Sequence, residues 1–359
     1  MVLTVIAFVI AGFFAMNIGA SGTAAAMGPA YGSGAIKTKR KAMLIVAVCA
    51  FLGALAGGEV VRTIGGGIIP SEIINVEVTV IILTAACLTL FIANLLGIPL
   101  STSEVLVGSL VGAGIAFQAI YLDRLFVIIS FWVIVPIIAF LLAILAGKLI
   151  VFLEKRFPSL KGKGKWYKWL VLLLVISGGL EAFAAGMNNV ANAVGPLVGA
   201  GLIEINKAVI FGGLFVSLGA VVLGGKVLET NGKKITRLSL LQGSAVSITG
   251  GALVIVASIF GLPVPLTQVT TSAIVGIGTV NNGFKVLQKD IIKKIVMVWV
   301  VSPVFSLVIC YGLIMLFLKA DFYTSFVIVS VFIATGGSIK LVQAERREKR
   351  AIQDQGSGI

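Results

Sequence analysis

Two glycine-rich stretches interrupt otherwise apolar segments of this chain: Gly19–Pro29, GASGTAAAMGP, and Gly186–Pro196, GMNNVANAVGP. Their first glycines lie 167 positions apart (186 − 19), so the interruption recurs at matched positions in two halves. Glycines and amides at membrane depth favour a helix break, and the freed backbone groups must then be buried in protein or line a cavity. A break also places a half-helix N-terminus near the bilayer centre, and its partial positive charge suits an anion. Close helix packing through small residues is the alternative interpretation.

The composition indicates a membrane protein. Of the 359 residues, 58% are hydrophobic and 12% are charged, and the mean hydropathy is +1.12. A chain with this share of hydrophobic residues cannot bury all of them inside the protein, so lipid must surround it. This composition excludes a soluble enzyme, a disordered chain and a secreted disulfide scaffold. The chain has no histidine, and its three cysteines are scattered in apolar runs. We therefore expect no enzymatic activity, no metal site and no cofactor.

The net charge of +14 alternates along the chain. Basic clusters at 37–41, 155–168, 233–237, 285–294 and 340–350 are separated by weakly charged connections. The positive-inside rule places these clusters in the cytoplasm, which predicts a multi-pass protein of the cell membrane with an external N-terminus, a cytoplasmic C-terminus and about 11–12 transmembrane segments. A nucleic-acid-binding protein would concentrate its basic residues on one face, so no nucleic acid partner is expected.

A duplication relates the two halves. The offset of 167 also pairs Trp132 with Trp299 (299 − 132) and Pro136 with Pro303 (303 − 136). Because the charge pattern repeats with the sides exchanged, we predict two inverted-topology repeats, a plan typical of secondary transporters with a site near the midplane. The predicted domains are a first transmembrane repeat at 1–153, a basic cytoplasmic linker at 154–168, a second inverted repeat at 169–318, an extra C-terminal span at 319–340 and a basic cytoplasmic tail at 341–359.

A second pair of interruptions, Gly97–Glu104 and Gly261–Gln268, begins with Gly-x-Pro in each half. Proline ends the preceding helix, and Ser101, Thr102 or Ser103 can cap a new half helix. The chain must turn back here to keep the predicted topology, so we expect a re-entrant hairpin in each half. Hydroxyls, amides and free backbone groups at such tips can bind an oxyanion. N-capping alone is the structural alternative.

Only two acidic residues lie within apolar segments, Glu104 and Glu181. An ionisable group at membrane depth is costly, so it indicates function by default. We predict a coupling or gating role for Glu104, whereas for Glu181 a coupling role and a buried neutral carboxyl are equally compatible with the sequence. Two further pairs are spaced as interfacial i,i+3 ion pairs: Glu59–Arg62 and Lys226–Glu229.

These motifs resemble the inorganic phosphate transporter family, whose members carry a duplicated Gly-Ala-Asn-Asp-Val-Ala-Asn motif and a Pro-Val-Ser-Thr-Thr-His-like hairpin in each half. Residues 186–192, Gly-Met-Asn-Asn-Val-Ala-Asn, match the second motif closely. The family's Asn-Asp pairs align with Ser21-Gly22 and Asn188-Asn189, and its hairpin histidines with Glu104 and Gln268. Both aspartates that the resemblance assigns to sodium binding are therefore replaced, a departure that is similar to the family's sulfate permease branch.

The number of protons on the substrate distinguishes sulfate from phosphate. Phosphate keeps a proton near neutral pH and favours a site with an acceptor such as a carboxylate, whereas sulfate favours a site made of donors. Without the motif aspartates, the chain suits sulfate better. The predicted substrate-binding residues are Ser21, Gly22, Thr23, Ser101, Thr102, Ser103, Asn188, Asn189, Asn192, Thr267 and Gln268, and the predicted coupling residues are Glu104 and Glu181.

The sequence thus predicts an all-α polytopic membrane protein, built of two inverted-topology repeats with broken helices and re-entrant hairpins, that imports an inorganic oxyanion by alternating access. Sulfate is the expected substrate and the proton the expected coupling ion, because the membrane potential opposes anion entry by about 2.3 kcal/mol per charge per 100 mV. The alternatives are a phosphate symporter driven by protons or sodium and, in another class, an anion channel. Thiosulfate is not separated from sulfate by donor counting. Both a monomer and a homodimer in membrane lipid fit the sequence.

Overall fold

The computed structural model describes residues 1–96, 100–162, 164–225, 228, 238–283 and 290–331, and over those residues it consists of helices and their connections. In chain order the helices are α1 (Val2–Ile18), α2 (Gly28–Gly32), α3 (Lys39–Leu55), α4 (Gly58–Gly66), α5 (Val76–Leu96), α6 (Thr102–Phe117), α7 (Leu122–Arg156), α8 (Tyr167–Gly199), α9 (Ile205–Leu223), α10 (Leu240–Ile259), α11 (Leu266–Asn282), α12 (Asp290–Phe317) and α13 (Phe322–Val331). A π-helical turn, Gly19–Thr23, follows α1. The all-α prediction is confirmed.

Seven of these helices are long and apolar enough to cross a membrane, and there are up to eight such spans if the pair α3–α4, bent by 66°, counts as one. Their outer faces are apolar, as a lipid solvent requires; Leu145 of α7 and Val222 of α9, for example, are 64% and 60% exposed. The chain is therefore a multi-pass membrane protein. The number of membrane-spanning helices among the described residues is below the predicted 11–12. Helices such as α6 and α11, with only 16 and 17 residues, are too short to be counted as spans.

The two glycine-rich stretches differ in backbone geometry. The first leaves helical geometry at Ser21 (φ −96°, ψ −105°), so the predicted break is confirmed there. The second lies inside α8, which is one continuous helix of 33 residues. The predicted break at Gly186–Pro196 is therefore wrong. The reason is that Gly186 serves close packing instead: a Cβ at this position would lie 1.9 Å from the carbonyl oxygen of Ala50 on α3, an approach that only glycine permits.

Similar close approaches join helices of one half to helices of the other. Three further examples, each measured from an added Cβ to a carbonyl oxygen, are Gly19 of the π-helical turn on Val216 of α9 (1.9 Å), Gly112 of α6 on Leu307 of α12 (2.4 Å) and Gly276 of α11 on Phe140 of α7 (2.6 Å). The pairs correspond between the halves, since the partners of Gly112 and Gly276 lie 167 positions apart (307 − 140). Such crosswise packing is what a duplicated bundle would produce, whereas the inverted orientation of the repeats stays a prediction.

The second pair of interruptions separates helices that pack side by side, α5 with α6 and α10 with α11. Ser101 is the N-cap of α6, and its hydroxyl accepts a hydrogen bond from the Glu104 backbone N–H at 3.4 Å. In the second half, Gly261 adopts a φ of +70°, in the region that favours glycine, before α11 begins at Leu266. The single proline of the first interruption, Pro99, is outside the described residues, since 97–99 are among the gaps. Whether either hairpin is re-entrant stays a prediction.

The chain divides into two compact units, Met1–Cys310 and Tyr311–Ile359, and all predicted binding and coupling residues belong to the first. In the second unit, hydrogen bonds from the side chain and backbone of Thr324 hold the pKa of Asp321 below its usual range. The predicted ion pair between Arg62 and Glu59 is confirmed, with 2.9 Å between nitrogen and oxygen. The predicted pair Lys226–Glu229, the tail 341–359 and the end of the predicted span 319–340 lie outside the described residues.

Candidate functional site

Helix α8 places three asparagines deep inside the protein: Asn188, Asn189 and Asn192 are at most 3% exposed. Asn188 and Asn192 are four residues apart and therefore lie on one face of the helix, one turn from each other. Buried amides cannot be left without hydrogen-bond partners at membrane depth. Most of their partners come from the two interruptions that precede α6 and α11, whose described residues 100–104 and 261–268 form the first tip and the second tip. The site forms where α8 meets these two tips.

Asn188 connects the two tips. Its side-chain oxygen accepts hydrogen bonds from the Ser103 hydroxyl at 3.3 Å and from the Val264 backbone N–H at 3.2 Å. Its side-chain nitrogen donates to the Ser258 hydroxyl at 2.8 Å and to the Leu262 carbonyl at 3.0 Å. Four bonds use the whole hydrogen-bonding capacity of the amide. Asn188 is therefore an organising residue of the site.

Asn189 and Asn192 bind the first tip. The Thr102 hydroxyl donates to the Asn189 side-chain oxygen at 3.1 Å. The Asn192 side-chain nitrogen donates to the hydroxyls of Thr102 and Ser103, at 3.0 and 3.2 Å. The Asn192 side-chain oxygen is buried and has no hydrogen-bond partner among the described residues. The predicted donors Thr102, Ser103, Asn188, Asn189 and Asn192 are thus brought together in one cluster.

The two tips also contact each other. The Thr267 hydroxyl donates to the Leu100 carbonyl at 3.4 Å, and the Gln268 side-chain nitrogen donates to a carboxyl oxygen of Glu104. The other carboxyl oxygen of Glu104 accepts from the Ser302 hydroxyl at 3.3 Å. Because α6 begins at Thr102 and α11 at Leu266, these contacts bring two helix N-termini together. Their unpaired N–H groups and aligned dipoles form an environment that stabilises negative charge.

The first glycine-rich stretch contributes its backbone and one free hydroxyl. Gly22 faces the second tip, since a Cβ added to it would lie 3.5 Å from the Thr267 hydroxyl oxygen. The Ser21 hydroxyl donates only to the Ile18 carbonyl, at 3.2 Å, and so binds its own helix rather than the cluster. The Thr23 hydroxyl is fully buried and has no hydrogen-bond partner among the described residues. A buried hydroxyl without a partner is available to a bound ligand.

Glu181, the second predicted coupling residue, lies seven residues before Asn188 on α8 and is not hydrogen-bonded to the tips. One carboxyl oxygen accepts from the Thr270 hydroxyl at 2.5 Å, and the other is buried without a hydrogen-bond partner among the described residues. The two predicted coupling carboxyls therefore differ. Glu104 belongs to the junction of the tips, and Glu181 has its own surroundings between α8, α10 and α11.

Three hydroxyl residues that hold these groups were missed by the sequence reasoning: Ser258 binds Asn188, Ser302 binds Glu104, and Thr270 binds Glu181. Each lies in an apolar helix, where a polar side chain already indicates a partner. That signal does not identify which of the many hydroxyls faces which amide or carboxyl, because the contacts depend on packing between distant segments.

A cavity of about 740 Å³ lies beside the Glu104–Gln268 pair, between α6, α7, α11 and α12. Its walls are apolar and contain residues from equivalent positions of the two halves, such as Trp132 with Trp299 and Pro136 with Pro303. The described residues contain no group of three or more Cys, Asp or Glu side chains that could hold a metal ion. The hydrogen-bonding groups of the site are therefore hydroxyls, amides, backbone groups and a single carboxyl, Glu104.

Comparison with known proteins agrees with this arrangement. The sequence pattern described as "Phosphate transporter family" matches residues 18–310. The protein named "Sulfate permease CysP" of Bacillus subtilis (strain 168) is 53% identical over 348 residues, which cover 97% of each chain. A solved structure, "The sodium-dependent phosphate transporter", superposes with a TM-score of 0.79 at 26% identity and covers 89% of this chain and all of that one. The resemblance inferred from the motifs is confirmed.

Proposed function

Because this chain belongs to the phosphate transporter family, we propose that it is a secondary active importer of sulfate, coupled to protons and working by alternating access. It is a membrane transporter and not an enzyme, as its family and fold indicate. The sulfate assignment is supported by the 53% identity to a protein named as a sulfate permease. Thiosulfate has the same charge and the same acceptor chemistry, so it belongs to the same substrate class.

The observation that carries the proposal is the donor-rich junction of α8 with the two tips. The family's motif aspartates correspond to Gly22 and Asn189, so neither position brings a negative charge to this junction. The Thr23 hydroxyl has no other hydrogen-bond partner in the described part of the chain and can donate to an anion. The N-termini of α6 and α11 add unpaired N–H groups beside Thr102 and Thr267. A fully deprotonated oxyanion needs donors, and this junction supplies them.

Glu104 is the one carboxyl at the junction, and both of its oxygens are already engaged by Gln268 and Ser302. A carboxyl held in this way does not offer an acceptor to a protonated substrate. Phosphate near neutral pH retains such a proton and would have to compete with these partners for it. The carboxyl of the junction is therefore not free to accept a phosphate proton, and the acceptor left without a partner among the described residues is the neutral side-chain oxygen of Asn192. A neutral amide oxygen attracts a proton donor less strongly than a carboxylate does, which supports a preference for sulfate.

Coupling follows from the charge of the substrate. Entry of a dianion against the membrane potential costs about 2.3 kcal/mol per charge per 100 mV, so a cation must accompany it. Both buried carboxyls, Glu104 and Glu181, are candidates to carry a proton. The charge pattern supports an orientation with an external N-terminus and a cytoplasmic C-terminus. The crosswise glycine contacts support two related bundles, the plan from which alternating access proceeds in transporters built of repeats.

Uptake of labelled sulfate into proteoliposomes with an imposed inward pH gradient tests the proposal. We expect accumulation that requires the gradient, does not require sodium, and is reduced by excess unlabelled sulfate or thiosulfate but not by an equal excess of phosphate. Uptake that needs sodium and is abolished by phosphate would show that the chain is a sodium-driven phosphate symporter, the activity named for the solved relative. Flux without accumulation against a gradient would show an anion channel.

A further inference from the structure

A second polar cluster lies inside the membrane region, separate from the donor-rich junction. It is centred on Glu181 of α8, whose side chain is fully packed within the protein. Thr270 of α11 donates its hydroxyl to one carboxyl oxygen at 2.5 Å. Ser247 of α10 lies near the same carboxyl. Three helices therefore surround one acidic group.

Two atoms of this cluster lack hydrogen-bond partners among the described residues: the second carboxyl oxygen of Glu181 and the hydroxyl oxygen of Ser247. Both atoms are buried. Unpaired polar atoms are uncommon inside proteins, and a missing ligand is one of their ordinary causes. The Ser247 hydroxyl can donate to this oxygen when Glu181 is ionised and can accept from its O–H group when Glu181 is protonated, so the cluster is compatible with both protonation states.

The helix contacts leave room for this carboxyl but provide no charge to balance it. Gly250 and Gly251 of α10 face Glu181. A Cβ added to Gly251 would lie 3.2 Å from the Cα atom of Glu181, and a Cβ added to Gly250 would lie 3.6 Å from a carboxyl oxygen of Glu181. The two ion pairs found in the described part of the chain join Arg62 to Glu59 and Lys207 to Glu204, so neither includes Glu181. An ionised carboxylate that is buried without a counter-charge is costly.

Other titratable groups on the helices packed around α8 are few at this depth. Helices α10 and α11 carry none over their described lengths, α3 carries Cys49 opposite Gly179, and α6 carries Glu104. Helix α5 carries the buried thiol of Cys87. The remaining groups are Tyr31 of α2, Lys39, Arg40 and Lys41 of α3, Glu59 and Arg62 of α4, Glu77 of α5, Lys161 of the 3₁₀ turn before α8 and Lys207 of α9. The charge state of Glu181 is thus set by the protein interior and by any cation that reaches it.

We infer that Glu181, with Ser247 and Thr270, is the proton site of the transport cycle, whereas Glu104 holds the two tips together through its hydrogen bonds. This inference rests on the proposed sulfate–proton symport and assigns a distinct role to each carboxyl. A proton from water on the outer side forms an O–H bond with the free oxygen of Glu181 and neutralises it. The same bond breaks when the site opens to the cytoplasm, and the proton returns to water as the anion leaves.

The contrast with Glu104 supports this division. Both oxygens of Glu104 are bound, one by Gln268 of α11 and one by Ser302 of α12, so Glu104 holds three helices together. Glu181 has one bound and one free oxygen, which is what a group that gains and loses a proton requires. A cycle can change the protonation of Glu181 without breaking the hydrogen bonds at the junction of the tips.

Two transport assays on the same proteoliposomes test the inference with E181Q, which mimics the protonated carboxyl. The first measures sulfate accumulation driven by a pH gradient, and the second measures exchange of internal for external sulfate without a gradient. We expect E181Q to lose at least tenfold in driven accumulation while exchange stays within threefold of the wild type. We expect S247A to reduce driven accumulation by threefold to tenfold with exchange unchanged. E72Q, which alters an exposed carboxyl outside the spans, should match the wild type in both assays.

The outcomes separate the inference from the proposed function. If wild-type protein neither accumulates nor exchanges sulfate, the proposed function is wrong. If wild-type protein is driven by protons and E181Q is driven equally well, Glu181 is not the proton site. If E181Q, still monodisperse after purification, loses exchange as severely as accumulation, Glu181 serves substrate binding or structure and the inference is overturned. The inference is also overturned if a sodium gradient, and not a pH gradient, drives wild-type uptake and E181Q abolishes it.

Discussion

The stretches Gly19–Thr23 and Gly186–Val190 occupy matched positions of the two halves, yet the first forms a kinked π-helical turn and the second continues a regular helix. Both begin with a glycine that lies against a carbonyl oxygen of a helix from the other half. Close approach is therefore common to both and does not cause the break. The two stretches differ in the side chains that come after the glycine.

In the second stretch, Asn188 reaches out of the helix to four partners, three on the two tips and Ser258 on α10. Helix α8 needs regular geometry to hold three amides in fixed positions. In the first stretch, the equivalent side chain is Ser21, which is too short to reach beyond its own helix. The backbone bends there instead, and Gly22 lies near Thr267. One half contributes side-chain amides, and the other contributes backbone and the free Thr23 hydroxyl.

The largest expected effect is on folding, from G19A and G186A. An added Cβ would lie 1.9 Å from a carbonyl oxygen at either position, so the backbone would have to move. We expect a cost of about 3 kcal/mol, at the upper end of the range for overpacking. We expect both variants to lose most of the monodisperse protein in fluorescence-detected size-exclusion chromatography. G225A is the control, because nothing lies within 4 Å of its added Cβ. Normal yield of G19A beside loss of G186A would mean that the kink relieves the clash and that the two contacts are not equivalent.

The second effect is on stability, from N188A compared with S21A. N188A leaves several buried donors and acceptors without partners, each of which costs about 1–3 kcal/mol. S21A removes one hydrogen bond within a helix, and we expect a change of at most about 1 kcal/mol. Thermal unfolding in detergent measures both. Equal destabilisation by the two variants would contradict the division of roles between the stretches.

The third effect is on ion selectivity, from N189D compared with N281D. A carboxylate at 189 repels a dianion and offers an acceptor to a protonated one, so we expect the ratio of sulfate to phosphate uptake to fall by about tenfold, equivalent to about 1.4 kcal/mol. Asn281 bonds Gln242 at the far end of α11, and N281D should leave the ratio unchanged. Competition between the two labelled anions measures the ratio. An unchanged ratio in N189D would remove position 189 from the anion site.

The smallest effect is expected for T23V, which gives the first stretch the residue found at the equivalent position of the second, Val190. The Thr23 hydroxyl has no hydrogen-bond partner among the described residues, so its removal should change the stability by less than about 1 kcal/mol. Loss of one donor to the anion should raise the KM for sulfate by about fivefold, near 1 kcal/mol. Initial rates of uptake measure the KM. A stable variant with an unchanged KM would show that Thr23 does not contact the anion.

Much of the fold was predictable from local signals. The apolar composition predicted the helices, Ser101 was among three candidate caps for α6, and the Pro-rich interruption before Leu266 marked the break between α10 and α11. The break predicted at Gly186 was wrong because a glycine favours both a kink and a close helix contact, and only the neighbouring helix α3 decides between them.

The members of the site were largely predictable, but their contacts were not. The hydroxyls of the first tip and the amides of α8 were identified from their type and depth, and they do meet. The pairing of Glu104 with Gln268 and Ser302 depends on how α6, α11 and α12 pack, which no local pattern encodes. Thr270 and Ser247 were missed for the same reason.

The position of bound selenate, a heavy tetrahedral dianion with the acceptor chemistry of sulfate, is the most direct measurement. Anomalous diffraction from crystals grown with selenate locates its selenium atom. We predict one peak where the N-termini of α6 and α11 meet, with its oxygens about 3 Å from the Thr23 hydroxyl and from backbone N–H groups in the first turns of α6 and α11. A peak elsewhere in well-ordered crystals, or no selenate peak where arsenate does bind, would contradict a donor-built site for a fully deprotonated anion.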